Sequence, residues 1–421
     1  MIRTMRYDIV AGEELKKILS SSLDNPIPFN EDLSRGTYSK PLFDDAFLKQ
    51  RAAFHQVSEE VYCEKLSDFL KLLKEVKAED EVHLYFGEDN VCLANRKAVI
   101  KALKEKVGTI VLHIVNEYAG EEIKDPIVVA KKGASTFRHF DIKDYEAVCD
   151  FLIEINENGH RHINWNWARF EWMYEHPEFD KSLQNAIGLW EIDGKIVALA
   201  TYDMYFGEGF VATLPEYDFL FEEALGYAYQ NLKDENGFGF ALGEEDALGI
   251  KTVEALGYEK ADQRESMMAF DLTKPLDASL PEGYAIDEPD FDENYDEVSF
   301  TIYQGFGHGD DFEEFMKDQG PRMNKRVHLN PKLSLAVRDF EGKMVAYCCL
   351  WYSPKTDYAY LEPLCVIPSV RGKGIAKALV YEGLRRVKDM GAKKVYVISD
   401  MPFYTKLGFE KEGNYIFYFK R

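Results

Sequence analysis

A strand-to-helix segment near the C-terminus carries residue types that bind phosphate groups. It runs from Tyr360 to Val380, and its centre reads Arg371-Gly-Lys-Gly-Ile-Ala376. Glycines at such a turn let backbone N–H groups approach a ligand closely, and the helix N-terminus adds partial positive charge. Four basic residues are expected to add full charges nearby: Lys373, Lys377, Arg385 and Arg386. The pattern therefore predicts a loop that binds a pyrophosphate.

Two common nucleotide-binding patterns do not fit this loop. The Walker pattern G-x-x-x-x-G-K-[ST] does not occur in it, and neither does the dinucleotide fingerprint G-x-G-x-x-G,. A glycine turn that binds nothing is the remaining structural alternative.

The surrounding residues narrow the interpretation. The pattern L-x-x-L-x-V-x-P-x-x-R-G-x-G-I-A resembles the acyl-CoA-binding motif of the GNAT family of N-acetyltransferases, whose R-x-x-G-x-A core matches Arg371, Gly374 and Ala376. Downstream, Phe403-Tyr-Thr-Lys-Leu-Gly-Phe409 resembles the family's F-Y-x-K-L-G-F helix and turn. Ser399-Asp-Met-Pro402 lacks the asparagine that many members carry before this helix, where it helps to hold the pantetheine arm. The resemblance covers about 148 residues at the C-terminal end.

The resemblance implies acetyl-CoA as co-substrate, no metal, and direct transfer of the acetyl group to an amine. Tyr404 matches the family tyrosine that protonates the departing coenzyme thiolate, with a core tyrosine as the alternative,. Glu362 stands where members often carry a carboxylate that accepts the amine proton through water, with a surface-facing strand acid as the alternative. A covalent acyl-cysteine at Cys365 is disfavoured, because the family transfers directly.

The resemblance also implies how the coenzyme is held. The strand before the loop splays from its neighbour, and its backbone binds pantetheine, with an N–H near Val366 facing the thioester oxygen. The residues expected to contact the coenzyme are Leu364, Cys365, Val366, Arg371, Gly372, Lys373, Gly374, Ile375 and Ala376.

Internal repeats divide the chain that must position these residues. Asp193-Gly-Lys-Ile-Val-Ala198 recurs as Glu341-Gly-Lys-Met-Val-Ala346, and Leu256-Gly-Tyr-Glu-Lys260 recurs as Leu407-Gly-Phe-Glu-Lys411, in the same order and at nearly the same offset,. We predict an N-terminal α/β domain of unknown function over 1–134, a degenerate GNAT-like domain over 135–272 and a GNAT acetyltransferase domain over 274–421. The fold class is α/β (α+β), with tandem acetyltransferase folds that each have a mixed central sheet flanked by helices.

The middle segment lacks the glycine loop. Around 210–223, where the loop is expected, the chain has no glycine turn and no arginine, and it carries four acids. Nearly all of the net charge of −23 lies in this segment, which would repel an anionic coenzyme,. We therefore expect a non-catalytic copy. Its aromatic stretch Asn164–Trp172 is expected to bury its tryptophans, a stacking surface being the alternative, and His160 and His162 have no partners at metal-ligand spacing,.

The N-terminal segment alternates strands and helices. Buried strands are predicted over 6–10, 81–86 and 109–115, and helices over 13–21, 57–76 and 90–105, which indicates a mostly parallel sheet,. Its Phe29–Gly36 and Leu84–Asp89 stretches resemble a bacterial domain of unknown function with a D-D-L-S-x-G motif and a W-x-G-E-like strand end. Five polar residues in these stretches are compatible either with a second ligand site or with ordinary turn capping: Glu31, Asp32, Arg35, Glu88 and Asp89.

Composition limits the partners. The pI near 4.9 disfavours a protein that coats nucleic acid or anionic lipid,. The longest apolar runs are only of strand length, so we expect no membrane-spanning segment,. Six sparse cysteines and no recognisable export signal indicate reduced thiols and a cytoplasmic location,.

The acceptor is predicted to be a small, cationic amine. Acids of the last domain either line its cleft or form a solvated face: Glu282, Asp287, Glu288, Asp290, Asp292, Glu293, Asp296, Glu297, Asp310, Asp311, Glu313 and Glu314,. An acyl-CoA-dependent N-acyltransferase is the leading hypothesis. The alternatives are a non-catalytic CoA- or metabolite-binding regulator and a peptide or protein N-acetyltransferase, and a homodimer is left open.

Overall fold

The structure is a computed structural model that describes residues 4–104, 106–131, 135–157, 159–176, 179–309, 311–318 and 328–421. Its backbone contacts divide the chain into two compact units built from interleaved segments. The first unit comprises Met1–His139, Gly188–Ala200 and Val211–Tyr227, and the second comprises Phe140–Ile187, Thr201–Phe210 and Ala228–Arg421. The three domain boundaries expected from the sequence stay a prediction.

The N-terminal part of the first unit is a five-stranded sheet with helices. The strands are β1 (Arg6–Val10), β2 (Ile27–Pro28), β3 (Glu81–Phe86), β4 (Thr109–Ile114) and β5 (Ile127–Lys131). The helices are α1 (Gly12–Leu19), α2 (Asp45–Phe54), α3 (Glu59–Lys65), α4 (Ser67–Glu75) and α5 (Asn90–Leu103). The order is β2-β1-β3-β4-β5, and only β5 runs antiparallel to its neighbour. The predicted α/β arrangement is confirmed, but the helix predicted over 57–76 is two helices, because the backbone leaves helical geometry at Leu66.

The rest of the chain supplies twelve strands and eight helices in the described residues. The strands are β6 (Ser135–His139), β7 (Gly188–Ile192), β8 (Lys195–Asp203), β9 (Tyr205–Thr213), β10 (Phe238–Gly243), β11 (Glu259–Asp271), β12 (Ala285–Asp287), β13 (Ser334–Arg338), β14 (Met344–Tyr352), β15 (Tyr358–Val366), β16 (Lys394–Ile398) and β17 (Glu410–Lys420). The helices are α6 (Tyr145–Glu154), α7 (Trp167–Tyr174), α8 (Phe221–Asn231), α9 (Ala247–Ala255), α10 (Phe291–Phe306), α11 (Phe312–Asp318), α12 (Ile375–Met390) and α13 (Pro402–Lys406).

The repeated strands of the second unit pair with each other. β11 and β17 each begin at the glutamate of one copy of the Leu-Gly-aromatic-Glu-Lys repeat, and they run antiparallel, with Glu259 opposite Phe419 and Ser266 opposite Asn414. The sheet order is β12-β13-β14-β15-β16-β11-β17-β10, so β11 lies against β16 of the later copy and β17 lies against β10 of the earlier copy. This exchange of final strands joins β10 to β16 through β17 and β11 within the second unit.

One hydrophobic core supports the later copy. It lies around β13, β14, β15 and α12, which pack against one another. The apolar stripe predicted for the helix is buried, with Ile375, Leu379, Leu384 and Val387 each at most 1% exposed. Burial of four such side chains contributes about 1.5–3 kcal/mol each to holding α12, and with it the glycine loop, against the sheet.

The position equivalent to that loop in the earlier copy has a different structure. β9 leads through a 3₁₀ turn at Pro215–Leu220 directly into α8, with no glycine turn. Lysines of the N-terminal segment bind the acids there: Lys97 lies 3.0 Å from Asp218, and Lys101 lies 2.6 Å from Glu222. The acids noted in the sequence therefore hold α5 against this turn within the first unit.

In the parts of the chain that the structure describes, every helix is too short or too polar to cross a bilayer.

Candidate active site

β15 separates from β16 halfway along its length. It pairs with β14 from Ala359 to Val366, but its parallel pairing with β16 ends at Tyr360, opposite Tyr396. On its other edge β16 pairs with β11 along its whole length, from Lys394 opposite Asp271 to Ile398 opposite Met267. Beyond Tyr360 the edge of β15 that faces β16 therefore has no ladder. Backbone polar groups in a buried setting require partners, so this opening suits an extended ligand with amide groups.

A β-bulge lies at the point of separation. Cys348 pairs with Leu364 and Leu350 pairs with Leu361, so β15 has one more residue than β14 in this interval. The indole Nε1–H of Trp351 donates to the carbonyl of Glu362 (2.7 Å) and satisfies a group that the bulge removes from the ladder. Bulges redirect side chains and are common next to active sites. Here the redirected segment carries Glu362.

The glycine loop follows the end of β15. Gly372 and Gly374 have φ of +79° and +84°, and a Cβ atom at either position would meet no other atom within 4 Å. The first helical hydrogen bond of α12 runs from the N–H of Ala378 to the carbonyl of Gly374 (3.1 Å), so the N–H groups before it have no helical acceptor,. This open helix N-terminus fits the pyrophosphate of a coenzyme.

Arg371 fixes the loop to its surroundings rather than pointing freely at a ligand. Its Nε donates to the carbonyl of Val366 (3.0 Å), and its Nη2 donates to the carbonyl of Gly305 at the end of α10 (2.6 Å). Lys373 is exposed, and its Nζ lies 3.1 Å from the hydroxyl of Tyr284. The loop thus keeps an exposed ammonium group while its arginine ties the end of β15 to α10.

Two of the basic residues expected near the loop lie elsewhere. Arg385 and Arg386 are some two to three turns along α12, and both bind Glu382, at 2.9 Å in each case,. Arg386 also pairs with Glu288. The prediction that these two arginines charge the loop is therefore wrong, because they stabilise the exposed side of α12.

Glu362 is half-buried and hydrogen-bonded. The hydroxyl of Tyr360, on the same strand, donates to its Oε2 (2.6 Å). Burial raises the pKa of Glu362 above the ordinary value, whereas the Tyr360 hydrogen bond and the charge of Arg169 act to lower it. Asp203 and Glu265 raise this pKa further. The carboxyl group is accordingly shifted toward the range in which a general base operates near neutral pH.

The charged neighbours of Glu362 come from the earlier copy. Arg169 on α7 binds Asp203 through Nη2 (3.0 Å) and Glu265 through Nη1 (2.8 Å). The same Nη1 donates to the carbonyl of Asn164 (2.7 Å), and the guanidinium lies 4.7 Å from the ring centroid of Trp165. The helix α7 packs against β15, which brings this ion-paired group to the strand that carries the candidate base.

Carboxylates outnumber cations in this group. Glu208 on β9 adds a further carboxylate to this group. Burial is the main cause that raises the pKa of Asp203 and that of Glu208. Burial alone would lower the pKa of Arg169, but Glu265 and Asp203 raise it above its ordinary value, so the guanidinium remains charged. The sequence had not pointed to any of these four residues. Arg169 belongs to the stretch Asn164–Trp172, whose tryptophans Trp165 and Trp167 are buried as expected.

Tyr404 stands on the short helix α13, and its side chain is 7% exposed. Its ring makes edge contacts with Phe403 and Phe409, at 5.2 and 5.4 Å between centroids. Burial raises the pKa of Tyr404, and the proximity of Cys348 and Glu362 raises it further. Among the described residues its hydroxyl has no hydrogen-bond partner. It is thus a protonated phenol in the neighbourhood of Glu362, able to donate.

The remaining residues of the strand differ in exposure. Leu364 and Val366 are half-buried, while Cys365 is 4% exposed and its Sγ lies 3.7 Å from the carbonyl of Thr301. Burial raises the pKa of Cys365 to about 12. The side chain is therefore a thiol at neutral pH, which agrees with the sequence argument against an acyl-cysteine.

The N-terminal candidates have structural partners. Glu31 is buried, and it binds Arg51 (2.7 Å) and His55 (2.8 Å). Asp32 pairs with Arg35 (3.3 Å), while Glu88 pairs with Lys124 (3.0 Å) and Asp89 caps α5. Of the five residues, Asp89 caps a helix as the turn-capping alternative expects, and the other four are held in ion pairs.

The acids expected near the acceptor cleft are mostly at the surface. Asp287 and Glu297 both bind Arg338, and Glu288 binds Arg386. Asp290 and Asp311 accept hydrogen bonds from the first turns of α10 and α11. Asp310 lies outside the described residues, as does the side chain of Asp292. The contacts of these acids favour the solvated-face interpretation.

Part of the chain is similar to known proteins. Residues 293–409 match the model of the acetyltransferase (GNAT) family. Two uncharacterized N-acetyltransferases of Escherichia coli K12 are similar to this chain. YhbS is 33% identical over 84 residues, covering 18% of this chain and 49% of that protein, and YjhQ is 33% identical over 86 residues, covering 19% and 47%. The chain thus spans about half the length of the curated relatives it matches.

Two solved structures were compared as well. A GCN5-related N-acetyltransferase from Sphaerobacter thermophilus has a TM-score of 0.44 at 16% identity, covering 68% of this chain and 95% of that one. A tandem GNAT protein from the clavulanic acid biosynthesis pathway has a TM-score of 0.49 at 15% identity, covering 68% and 98%. Residues 293–409, which include β15, the glycine loop and Tyr404, are thus similar to the acetyltransferase (GNAT) family.

Proposed function

We propose that this protein is an acetyl-CoA-dependent N-acetyltransferase that acts on a small, cationic amine. The observation that carries the proposal is the opening between β15 and β16. It begins next to Glu362, and β15 ends at a glycine loop whose helix N-terminus is open. An extended coenzyme with a pyrophosphate at one end and a thioester at the other needs this combination of groups.

Different backbone groups of the chain bind different parts of the coenzyme. The N–H groups after Gly372 and Gly374 bind the pyrophosphate, and the unpaired edge of Leu364–Val366 binds the amide-containing arm. An N–H near Val366 stabilises the oxyanion that forms when the amine attacks. The coenzyme supplies an acetyl group activated as a thioester.

Two side chains handle the protons. Glu362 accepts, through water, the proton that the amine must lose, and Tyr404 gives its proton to the departing thiolate. The raised pKa of Glu362 suits its role, since the carboxylate becomes a stronger base, and the raised pKa of Tyr404 keeps the phenol protonated at neutral pH,.

The charge around Glu362 supports a cationic acceptor. Asp203, Glu208, Glu265 and Glu362 face a single guanidinium, that of Arg169, and all four carboxylates are only half-buried. An ammonium group that enters this region offsets the excess negative charge, whereas a carboxylate or phosphate is repelled.

The proposal is tested by incubating the full chain with acetyl-CoA and a panel of amines, with free thiol as the readout. The panel should contain polyamines, amino sugars and amino-acid derivatives, each beside its N-acetylated or anionic counterpart. Amine-dependent thiol release that is lost in Glu362→Gln supports the proposal. Tight coenzyme binding with no release across the panel would instead favour a ligand-binding regulator.

A further inference from the structure

The earlier copy lacks a glycine loop, yet it faces the candidate base. α7, β8 and β11 carry Arg169, Asp203 and Glu265, and all three influence Glu362 on β15 of the later copy. The residues Arg169, Asp203, Glu265 and Glu362 all belong to the second compact unit. A copy without its own coenzyme site therefore contributes charge to the active site of the other.

Arg169 occupies the central position in this group. Both of its terminal nitrogens have acceptors: Nη2 donates to Asp203, and Nη1 donates to Glu265 and to the carbonyl of Asn164. Its side chain is 14% exposed, and the carboxylates that it binds are 18% and 13% exposed. Without this guanidinium, two carboxylates would remain beside Glu362 with no cation between them.

We propose that Arg169 is a positioning residue for the transfer reaction: it holds Asp203 and Glu265 in ion pairs and keeps Glu362 ionised so that it can accept the amine proton. This inference rests on the proposed function, and it assigns the earlier copy a part in that function. Arg169 acts through Glu362 and is not itself required to touch the acceptor.

The groups that face Glu362 determine in which direction its pKa moves when a neighbouring charge is removed. Tyr360 on β15 donates a hydrogen bond to it, Tyr404 on α13 lies nearby as a neutral phenol, and Arg169 supplies positive charge that lowers its pKa. Negative charge comes from Asp203 on β8 and Glu265 on β11, with Glu208 on β9 next to both. Loss of the arginine therefore favours the protonated form of Glu362, and loss of either acid favours the ionised form.

The pH dependence of kcat/KM measures this directly. Because Glu362 must be ionised, kcat/KM rises with pH through its pKa. In Arg169→Gln the acid limb should move upward by about one pH unit, so that kcat/KM falls about tenfold at a fixed pH below the limb. In Arg169→Lys, which keeps the positive charge, the acid limb should lie close to that of the parent protein. The acceptor amine titrates identically in every variant, so differences between variants report the protein.

Asp203→Asn should shift the acid limb of the pH profile in the opposite direction. It removes one negative charge without changing shape, and the limb should move downward. This variant also keeps the inference testable if Arg169→Gln does not fold. Arg161→Gln is the matched control, because Arg161 is half-exposed on the same segment and contacts only Asp246, at 3.7 Å, among ion-pair partners in the described residues. Its limb should coincide with that of the parent.

A second readout needs no acceptor. Infrared titration of the carboxyl band that disappears in Glu362→Gln reports the protonation of this group in the parent and in each variant. If the parent acetylates no amine, the proposed function fails while the infrared midpoints still test the role of Arg169. Midpoints and limbs that stay in place in Arg169→Gln, or that move upward in Asp203→Asn, would overturn the inference and leave Arg169 a purely structural residue.

Discussion

Gly305 offers a quantitative test of how tightly α10 approaches the coenzyme strand. It lies in the last turn of α10, and a Cβ atom there would stand 2.6 Å from the Cβ of Cys365 and 3.4 Å from the backbone nitrogen of Val366. Alanine in place of glycine favours a helix by about 1 kcal/mol. Forcing a methyl group into a closed contact costs about 1–3 kcal/mol. The neighbour here is the root of a buried side chain, so the strand itself must move.

We therefore expect Gly305→Ala to lower the free energy of unfolding by about 0–2 kcal/mol and to weaken coenzyme binding. Gly226→Ala is the matched control. Gly226 also lies in a helix, α8, and its added Cβ would meet nothing within 4 Å, so only the gain of about 1 kcal/mol in helix propensity remains,. Urea unfolding and isothermal titration with acetyl-CoA measure both quantities. If Gly305→Ala is stabilised as much as Gly226→Ala and binds coenzyme normally, the close approach of α10 to β15 is refuted.

Three further predictions follow from the site and its surroundings. Tyr404→Phe should lower turnover by about 10²–10⁴-fold and leave the coenzyme dissociation constant unchanged, whereas Tyr381→Phe, which removes a hydroxyl bound to Leu407, should change stability and not turnover,. Gly374→Glu should weaken coenzyme binding far more than Gly374→Ala, since both variants share the strain of φ +84° and only glutamate adds negative charge. Equal losses of affinity would mean that the pyrophosphate lies elsewhere. His328 donates to Glu171 (2.6 Å), and this bond raises the pKa of the imidazole, so its contribution to stability is full at acid pH and disappears as pH rises through the raised pKa,. The stability difference between the parent and His328→Gln should shrink between about pH 6.5 and the alkaline side of that pKa, and a difference that grows would contradict it.

The sequence contained the local part of the site. Strand, glycine loop and helix follow one another without a gap, so periodicity and glycine placement were enough to predict β15, the loop and the buried stripe of α12,. The internal repeats also marked two segments at whose ends the paired strands β11 and β17 begin. In each case the information lies in neighbouring residues.

The electrostatic part of the site was not accessible in the same way. Arg169, Asp203 and Glu265 come from three elements far apart in the chain, and only the sheet order brings them to Glu362. That order depends on the exchange of β11 and β17, which no local pattern specifies. The acidic run over residues 282–297, by contrast, was conspicuous in the sequence, and four of its eight acids bind arginines or cap α10.

Hydrogen–deuterium exchange with and without acetyl-CoA tests the central claim most directly, because it locates the coenzyme without any knowledge of the acceptor. The account predicts that coenzyme slows exchange in peptides that cover Leu364–Val366 and the first turn of α12, and leaves those that cover Pro215–Leu220 and the start of α8 unchanged. Protection at the turn before α8, with none at the end of β15 or the start of α12, would contradict it.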